Sequence, residues 1–296
     1  MVTRSSIASF HRHLWQRLAV LLFGVSGLAG MAHAVVIDGA DVLSGDAIEG
    51  GLIIARTAPG HRVTLDGQNI PVAANGVFVI GFHRDSDAPV EIGVHAADGT
   101  SMVSRVAPAQ RTYSIQRIDG LKSKYVSPPA EILARIKADG AAVQAARRLN
   151  APLGDFWTGF DWPAAGPISG VYGSQRILNG EPRQPHYGLD IAGPKGAPVY
   201  APASGEVTLV KDLYFSGWTV LIAHGLGVNS GFLHLDSVEV TPGMTVRRGQ
   251  LIGRIGASGR ATGPHLDWRI DWQGRRIDPQ LLLVPHAKPA DRNGTR

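Results

Sequence analysis

Pro185-His186-Tyr187-Gly188-Leu189-Asp190-Ile191-Ala192 places an imidazole and a carboxylate four residues apart, around a glycine, at the start of an apolar run. In an extended strand, residues an even number apart share a face, so His186 and Asp190 can point at one ion. The stretch His265-Leu266-Asp267 repeats this logic at a spacing of two, with His265 and Asp267 on one face and Leu266 turned towards a core. His234 adds a third imidazole from the apolar run Gly231-Phe232-Leu233-His234-Leu235. Zinc accepts imidazole nitrogen and carboxylate oxygen, and a catalytic site uses three protein ligands with one position left open. Imidazoles beyond the ligands can move protons or stabilise an oxyanion. Spacing alone does not divide these five residues into ligands and catalysts.

The sequence around these motifs reads as successive strands. Gly205–Val210, Thr219–His224, Gly231–Leu235, Gln250–Gly256 and His265–Ile270 are rich in β-branched and aromatic residues, with Gly and Pro between them. This gives a β-rich domain over 151–285, followed by a polar, flexible tail at 286–296. Upstream, 35–116 is a second series of short runs. Asp66-Gly67, Asn75-Gly76 and Asp98-Gly99 mark tight turns, which predicts a small antiparallel β-sandwich closed by Thr112–Ile115. His61, His83 and His95 are scattered there and form no evident site. The intervening 117–150 changes composition. Pro128-Pro129 precedes an Ala/Arg/Lys-rich stretch with Ile132, Ile136 and Val143 at helical spacing, which predicts a linking helix packed by one apolar stripe. The fold class expected is therefore mainly β, with an N-terminal sandwich, a linking helix and a C-terminal antiparallel sheet domain.

Residues 1–34 carry Arg4, Arg12 and Arg17, then an apolar run from Leu18, then Ala32-His33-Ala34. This is the anatomy of a secretory signal cleaved after Ala34, rather than a lasting membrane span. Its removal lowers the net charge from +5 to +2, because residues 1–34 hold three of the 29 basic residues and none of the 24 acidic ones. The chain is then too weakly basic to imply a nucleic-acid partner, and an anionic cell wall is an equally good match. The absence of cysteine excludes disulfides, thiolate metal sites and lipid attachment through cysteine.

Several of these motifs together resemble one family. Pro185–Ala192, Gly196–Val207, Ile222–Gly225, Phe232–Leu235, Val246–Gly253 and Gly259–Leu266 follow the order and spacing of the lysostaphin-type (LytM-like, M23) zinc metallopeptidases. The resemblance covers about 165–284. It implies an antiparallel β-sheet with a groove across a Zn2+ site, and hydrolysis of peptide cross-links in bacterial peptidoglycan by a periplasmic or secreted enzyme. By the same resemblance His186 and Asp190 are metal ligands, His234 and His265 are catalytic, and His224 is structural. The family's H-x-H triplet ends in the third ligand, a histidine, whereas this chain has Asp267. A carboxylate can bind zinc, so a His/Asp/Asp set is expected, with a second anionic ligand lowering the effective charge of the ion.

Two other readings compete. A catalytically inactive relative would bind the wall or activate another hydrolase. A lipoyl-type carrier is suggested by Val246–Gly253, but Lys195 and Lys211 sit in no hairpin tip of the kind that is modified. Arg176 and Asn179 are placed to line the groove or to stabilise its turn. Of Trp157, Trp162, Trp218, Trp268 and Trp272, most are expected in the core.

Overall fold

Glycine-bearing turns fold the first third of the chain into two small antiparallel sheets. The computed structural model describes residues 35–120, 128–149 and 151–284. The expected export signal and the expected tail from His286 lie outside the described residues. Strands β1 (Ala40–Ser44), β2 (Leu52–Thr57), β3 (Arg62–Leu65), β4 (Gln68–Ile70), β5 (Val77–Gly81), β6 (Val90–His95) and β7 (Ser101–Val106) make sheets ordered β1-β2-β5 and β4-β3-β6-β7. The β3–β4 hairpin turns on Asp66 and Gly67, with φ of 50° and 76°. A two-residue loop of this type needs positive φ at both positions, which Asp-Gly supplies cheaply. Every residue of β5 is buried, so its sequence is a continuous apolar run rather than an alternating one.

The segment expected to close this region behaves otherwise. Strand β8 (Ile115–Ile118) pairs in parallel with β10 (Gln175–Leu178), following β9 (Ile168–Gly170) in the second half of the chain. No turn motif links β8 to β7, so nothing local dictates its partner. The linking helix, α1 (Ala130–Arg147), begins after Pro129, whose extended backbone is suited to a helix start. Ile132, Ile136 and Val143 are half-buried, as the spacing predicts. Between them sits buried Asp139, whose Oδ2 accepts from the Tyr214 N–H at 2.8 Å and whose Oδ1 lies 3.3 Å from Lys211 Nζ.

The remaining strands are β11 (Glu181–Pro182), β12 (Leu189–Ala192), β13 (Pro198–Tyr200), β14 (Gly205–Leu213), β15 (Gly217–Gly225), β16 (Val228–Val238), β17 (Thr245–Val246), β18 (Leu251–Ile255), β19 (His265–Trp272) and β20 (Arg275–Ile277). The main sheet runs β17-β14-β15-β16-β19-β12-β9, with α1 packed on β14 and β15. Its pairs are antiparallel, in agreement with the expected mainly β class. One continuous core joins Phe78 and Ile80 of β5 to Phe232, Trp268, Ile270 and Trp272 of β16 and β19. Arg275 of β20 extends this contact by donating to the Gly81 carbonyl at 2.9 Å. Trp268 and Trp272 are almost wholly buried, while Trp218 is 43% exposed, so not all of the tryptophans fill the core. Truncating either buried indole to alanine would cost about 3–5 kcal/mol. The order β16-β19-β12 matters most, because it brings the three motif-bearing strands side by side.

Candidate metal centre

Asp190 and Asp267 are register partners on adjacent strands β12 and β19, so their carboxylates leave the same face of the sheet. His186, just before β12, reaches the same point. Its Nε2 lies 3.0 Å from Asp190 Oδ1, and the ring is buried. Ligand atoms of His186, Asp190 and Asp267 lie within 4.8 Å of one another, and all three residues are buried. Two glycines make room. A Cβ on Gly188 would come within 2.2 Å of Asp267 Oδ1, and one on Gly170 within 2.3 Å of Asp190 Oδ2. The glycine inside the His-Tyr-Gly-Leu-Asp motif is thus required by close approach rather than by turn geometry.

Among the described residues, both ring nitrogens of His186 and Asp190 Oδ1 are buried without a hydrogen-bond partner. An orphaned buried donor or acceptor costs about 1–3 kcal/mol, and a cation shared between these atoms would remove that cost. The donor set of one imidazole and two carboxylates suits Zn2+. On this test the residues fit a divalent ion.

Two arginines complicate the electrostatics. Arg269 Nε lies 3.0 and 3.1 Å from the two oxygens of Asp267, and its Nη2 lies 2.6 Å from Oδ2. Arg176, on strand β10 rather than in a loop, donates from Nη2 to Asp190 Oδ2 at 2.9 Å. Burial pushes the Asp267 carboxyl up, but Arg269, then His186 and His234, outweigh it and hold that group well below the usual carboxylate range. Asp267 is therefore held ionised by Arg269, and Asp190 is paired with Arg176, so a divalent ion would add two positive charges to a cluster that already holds two guanidiniums. Sequence spacing gave no sign of Arg269. The signal available was its position two residues after Asp267 on one strand, which puts both on the same face.

His234 and His265 stand beside this cluster, with ring centroids 4.8 Å apart. His234 has φ of 63°, a rare left-handed conformation for a side chain within a strand, and its N–H donates to the Ser216 carbonyl at 2.8 Å. The Ser258 carbonyl accepts from His234 Nδ1 at 2.8 Å, and the Gly263 carbonyl accepts from His265 Nδ1 at 2.9 Å. A carbonyl only accepts, so each ring carries a proton on Nδ1 and turns its Nε2 away from that carbonyl. His265 Nε2 is 4.0 Å from Asp190 Oδ1. Burial lowers the His234 pKa to about 4, which keeps the ring neutral at physiological pH. A cavity of about 230 Å³ opens over these rings, lined also by Arg176, Arg260, and Gln116 and Ile118 of β8.

His224 lies away from the cluster. It is fully buried, with Nδ1 2.8 Å from the Ser204 carbonyl, Nε2 2.8 Å from Ser230 Oγ, and Phe160 edge-on at 5.3 Å. Burial lowers its pKa to about 4. An unfolded histidine binds its proton near pH 6.5, so between about pH 6.5 and 4 the unfolded chain gains protons that the folded chain refuses. Stability is expected to be full above pH 6.5 and to fall on acidification, by about 1.4 kcal/mol per pH unit for each of His224 and His234. Urea midpoints at pH 7 and pH 4.5 measure this, and equal midpoints would contradict it.

The sequence profile of Peptidase family M23 matches residues 184–279. A crystal structure of a putative M23 peptidase from Pseudomonas aeruginosa is 31% identical, with a TM-score of 0.64, and the match covers 80% of this chain and 95% of that one. The peptidoglycan DD-endopeptidase ShyB of Vibrio cholerae is 39% identical over 109 residues, which is 37% of this chain and 26% of that protein. The murein hydrolase activator EnvC of Escherichia coli is 37% identical over 135 residues, which is 46% of this chain and 30% of that protein. The chain thus spans less than a third of the length of either of these curated relatives.

Proposed function

The chain belongs to peptidase family M23, and we propose that it is an exported zinc endopeptidase that hydrolyses peptide cross-links of bacterial peptidoglycan. The observation that carries this reading is the convergence of the buried, hydrogen-bond-orphaned His186 ring nitrogens and Asp190 Oδ1 on Asp267, with two outward Nε2 atoms beside them. His186, Asp190 and Asp267 would hold the ion. When bound, Zn2+ supplies Lewis-acid polarisation of a scissile carbonyl and lowers the pKa of water at the site.

The chain's own groups do the rest. His234 Nε2 accepts a proton from the attacking water, since its Nδ1 is committed to the Ser258 carbonyl and its neutral form persists at pH 7. His265, fixed by the Gly263 carbonyl, presents its Nε2 to the same space and, once protonated, donates to the developing oxyanion. The strand geometry that holds both rings makes their placement rigid rather than loop-dependent. Export rests on the signal-like residues 1–34, which would release 35–296 to the periplasm or the exterior. Among the described residues, no helix is long and apolar enough to cross a membrane.

Digestion of purified peptidoglycan by zinc-loaded 35–296 tests the activity, with released peptides resolved by chromatography. His234→Ala is expected to lower the turnover about 10²–10⁴-fold while leaving the zinc content at the wild-type level. If the wild-type protein releases nothing, or His234→Ala releases as much as the wild type, the enzyme reading fails.

One observation favours a second reading. Arg176 and Arg269 already balance Asp190 and Asp267, so the cluster is electrically complete without an ion. On that reading the domain is a metal-free activator of another wall hydrolase. Elemental analysis separates the two: one zinc per chain supports the peptidase, and none after purification in excess zinc supports the activator.

A further inference from the structure

Behind the catalytic histidines, a second cavity of about 260 Å³ is walled by Arg147, Arg176, Arg260, Arg269 and Arg276, and no Asp or Glu among the described residues lines it. It meets the groove at His234, Arg176 and Arg260, which line both cavities. The arginines come from distant parts of the chain: the last turn of α1, strands β10, β19 and β20, and the loop before β19. Such convergence does not follow from any local charge run.

The guanidiniums crowd one another. Burial, then Arg276, lowers the Arg147 pKa to about 10 even though Asp271 opposes the shift. Burial, then Arg176, Arg269 and Arg183, lowers that of Arg260 to about 10. The carboxylates paired with this set stand outside the cavity. Asp267 holds Arg269, while Asp271 lies 3.2 Å from Arg276 and 3.9 Å from Arg147. Arg147 Nε is buried and has no hydrogen-bond partner among the described residues. Asp190, Asp267 and Asp271 offset part of this charge from outside the lining, so the chemistry facing the cavity is guanidinium, the group best shaped to grip a carboxylate.

We propose that this arginine-walled cavity is a carboxylate subsite, which receives a free side-chain or terminal carboxylate of the peptide whose scissile bond lies at the His186–Asp190–Asp267 cluster. The identity of the ligand rests on the peptidase reading; the anion site itself does not. A peptide laid along the groove has only to cross His234 to place an acidic group among the arginines. The subsite then selects substrates that carry a carboxylate near the cleaved bond over their amidated counterparts.

The test uses the 35–296 protein with zinc and, separately, with a chelator, so that binding to the metal is told apart from binding to arginine. Glutarate and its uncharged analogue glutaramide are titrated calorimetrically. Glutarate is expected to bind in both conditions and glutaramide in neither. Arg147→Gln and Arg276→Gln are each expected to weaken glutarate binding about tenfold or more. In the peptidase assay the same variants should lose a similar factor in preference for a carboxylate-bearing peptide over its carboxamide. Three results would overturn the proposal: equal binding of glutarate and glutaramide, unchanged glutarate affinity in both variants, or binding of inorganic phosphate in preference to glutarate. The wild-type comparison of glutarate with glutaramide decides the matter even if a variant does not fold. Chelator-resistant glutarate binding in a protein that cleaves no peptidoglycan would remove the peptidase reading and leave the anion site standing.

Discussion

Asp190→Asn is expected to strip zinc from the protein and to lower kcat/KM on peptidoglycan peptides by about 10³-fold or more. The change is nearly isosteric, so what it removes is charge. Asp190 Oδ1 is the oxygen that faces His186 Nε2 at 3.0 Å and has no hydrogen-bond partner among the described residues. Asparagine would offer that position either a weakly basic carbonyl or an N–H group that repels a cation. It would also leave Arg176, now held at 2.9 Å by Oδ2, without an anion in a largely buried place. An unneutralised guanidinium beside the site repels a divalent ion, so the two effects act in the same direction. A thousandfold loss corresponds to about 4 kcal/mol, in keeping with the several kcal/mol that a bound metal contributes to transition-state charge stabilisation. Zinc per chain and the rate of peptide release, measured on the same preparation, check the prediction. Wild-type values for both would place the metal elsewhere.

What could be read from the sequence, and what could not, follows from the range of the forces involved. The period-2 alternation of His265-Leu266-Asp267 specifies a face, and the structure has Leu266 in the core while His265 lines the groove and Asp267 joins the buried cluster with His186 and Asp190. The Asp66-Gly67 hairpin and the half-buried stripe of α1 were legible for the same reason, because each is a local rule of backbone geometry. Pairing across the chain is not local. Nothing in Ile115–Ile118 says that it will lie parallel to Gln175–Leu178, and with it went the placement of Gln116 and Ile118 on the groove. The left-handed φ of His234 was also hidden, since it arises where the pairing of β16 with β15 shifts register between Phe232 and Leu235 and the backbone N–H is captured by Ser216. Asp139 gave no warning either. A carboxylate on the apolar stripe of a helix reads as an error until Tyr214 and Lys211 are found above it. Likewise Arg269 looked like an ordinary polar residue of an alternating strand, although it sets the charge of its neighbour.

Arg269→Gln should be the most destabilising single change at the centre in metal-free protein, and zinc should reverse part of the damage. Asp267 is 1% exposed and ionised, and Arg269 is the guanidinium that grips both of its oxygens. Removing one partner of a buried pair leaves a charge that neither water nor protein can neutralise, at a cost of about 3–5 kcal/mol. Arg269 keeps 27% of its side chain exposed at the cavity wall, so the lower end of that range, about 3 kcal/mol, is expected. The uncompensated carboxylate becomes a stronger ligand in the same step. Zinc affinity should therefore rise in Arg269→Gln while stability in the presence of a chelator falls. Because the ion binds the folded state, a hundredfold excess over its dissociation constant would restore about 2.7 kcal/mol. Asp267→Asn/Arg269→Gln removes both charges together and should cost clearly less than the two single changes added, which measures the coupling. A structural arginine with no influence on the ion makes the opposite forecast: stability lost equally with and without zinc, and zinc affinity unchanged or lower. Chemical denaturation of the four proteins with zinc and with a chelator distinguishes the two. If zinc leaves Arg269→Gln no more stable, Asp267 is not a ligand, and its tight embrace by Arg269 marks the metal-free activator instead.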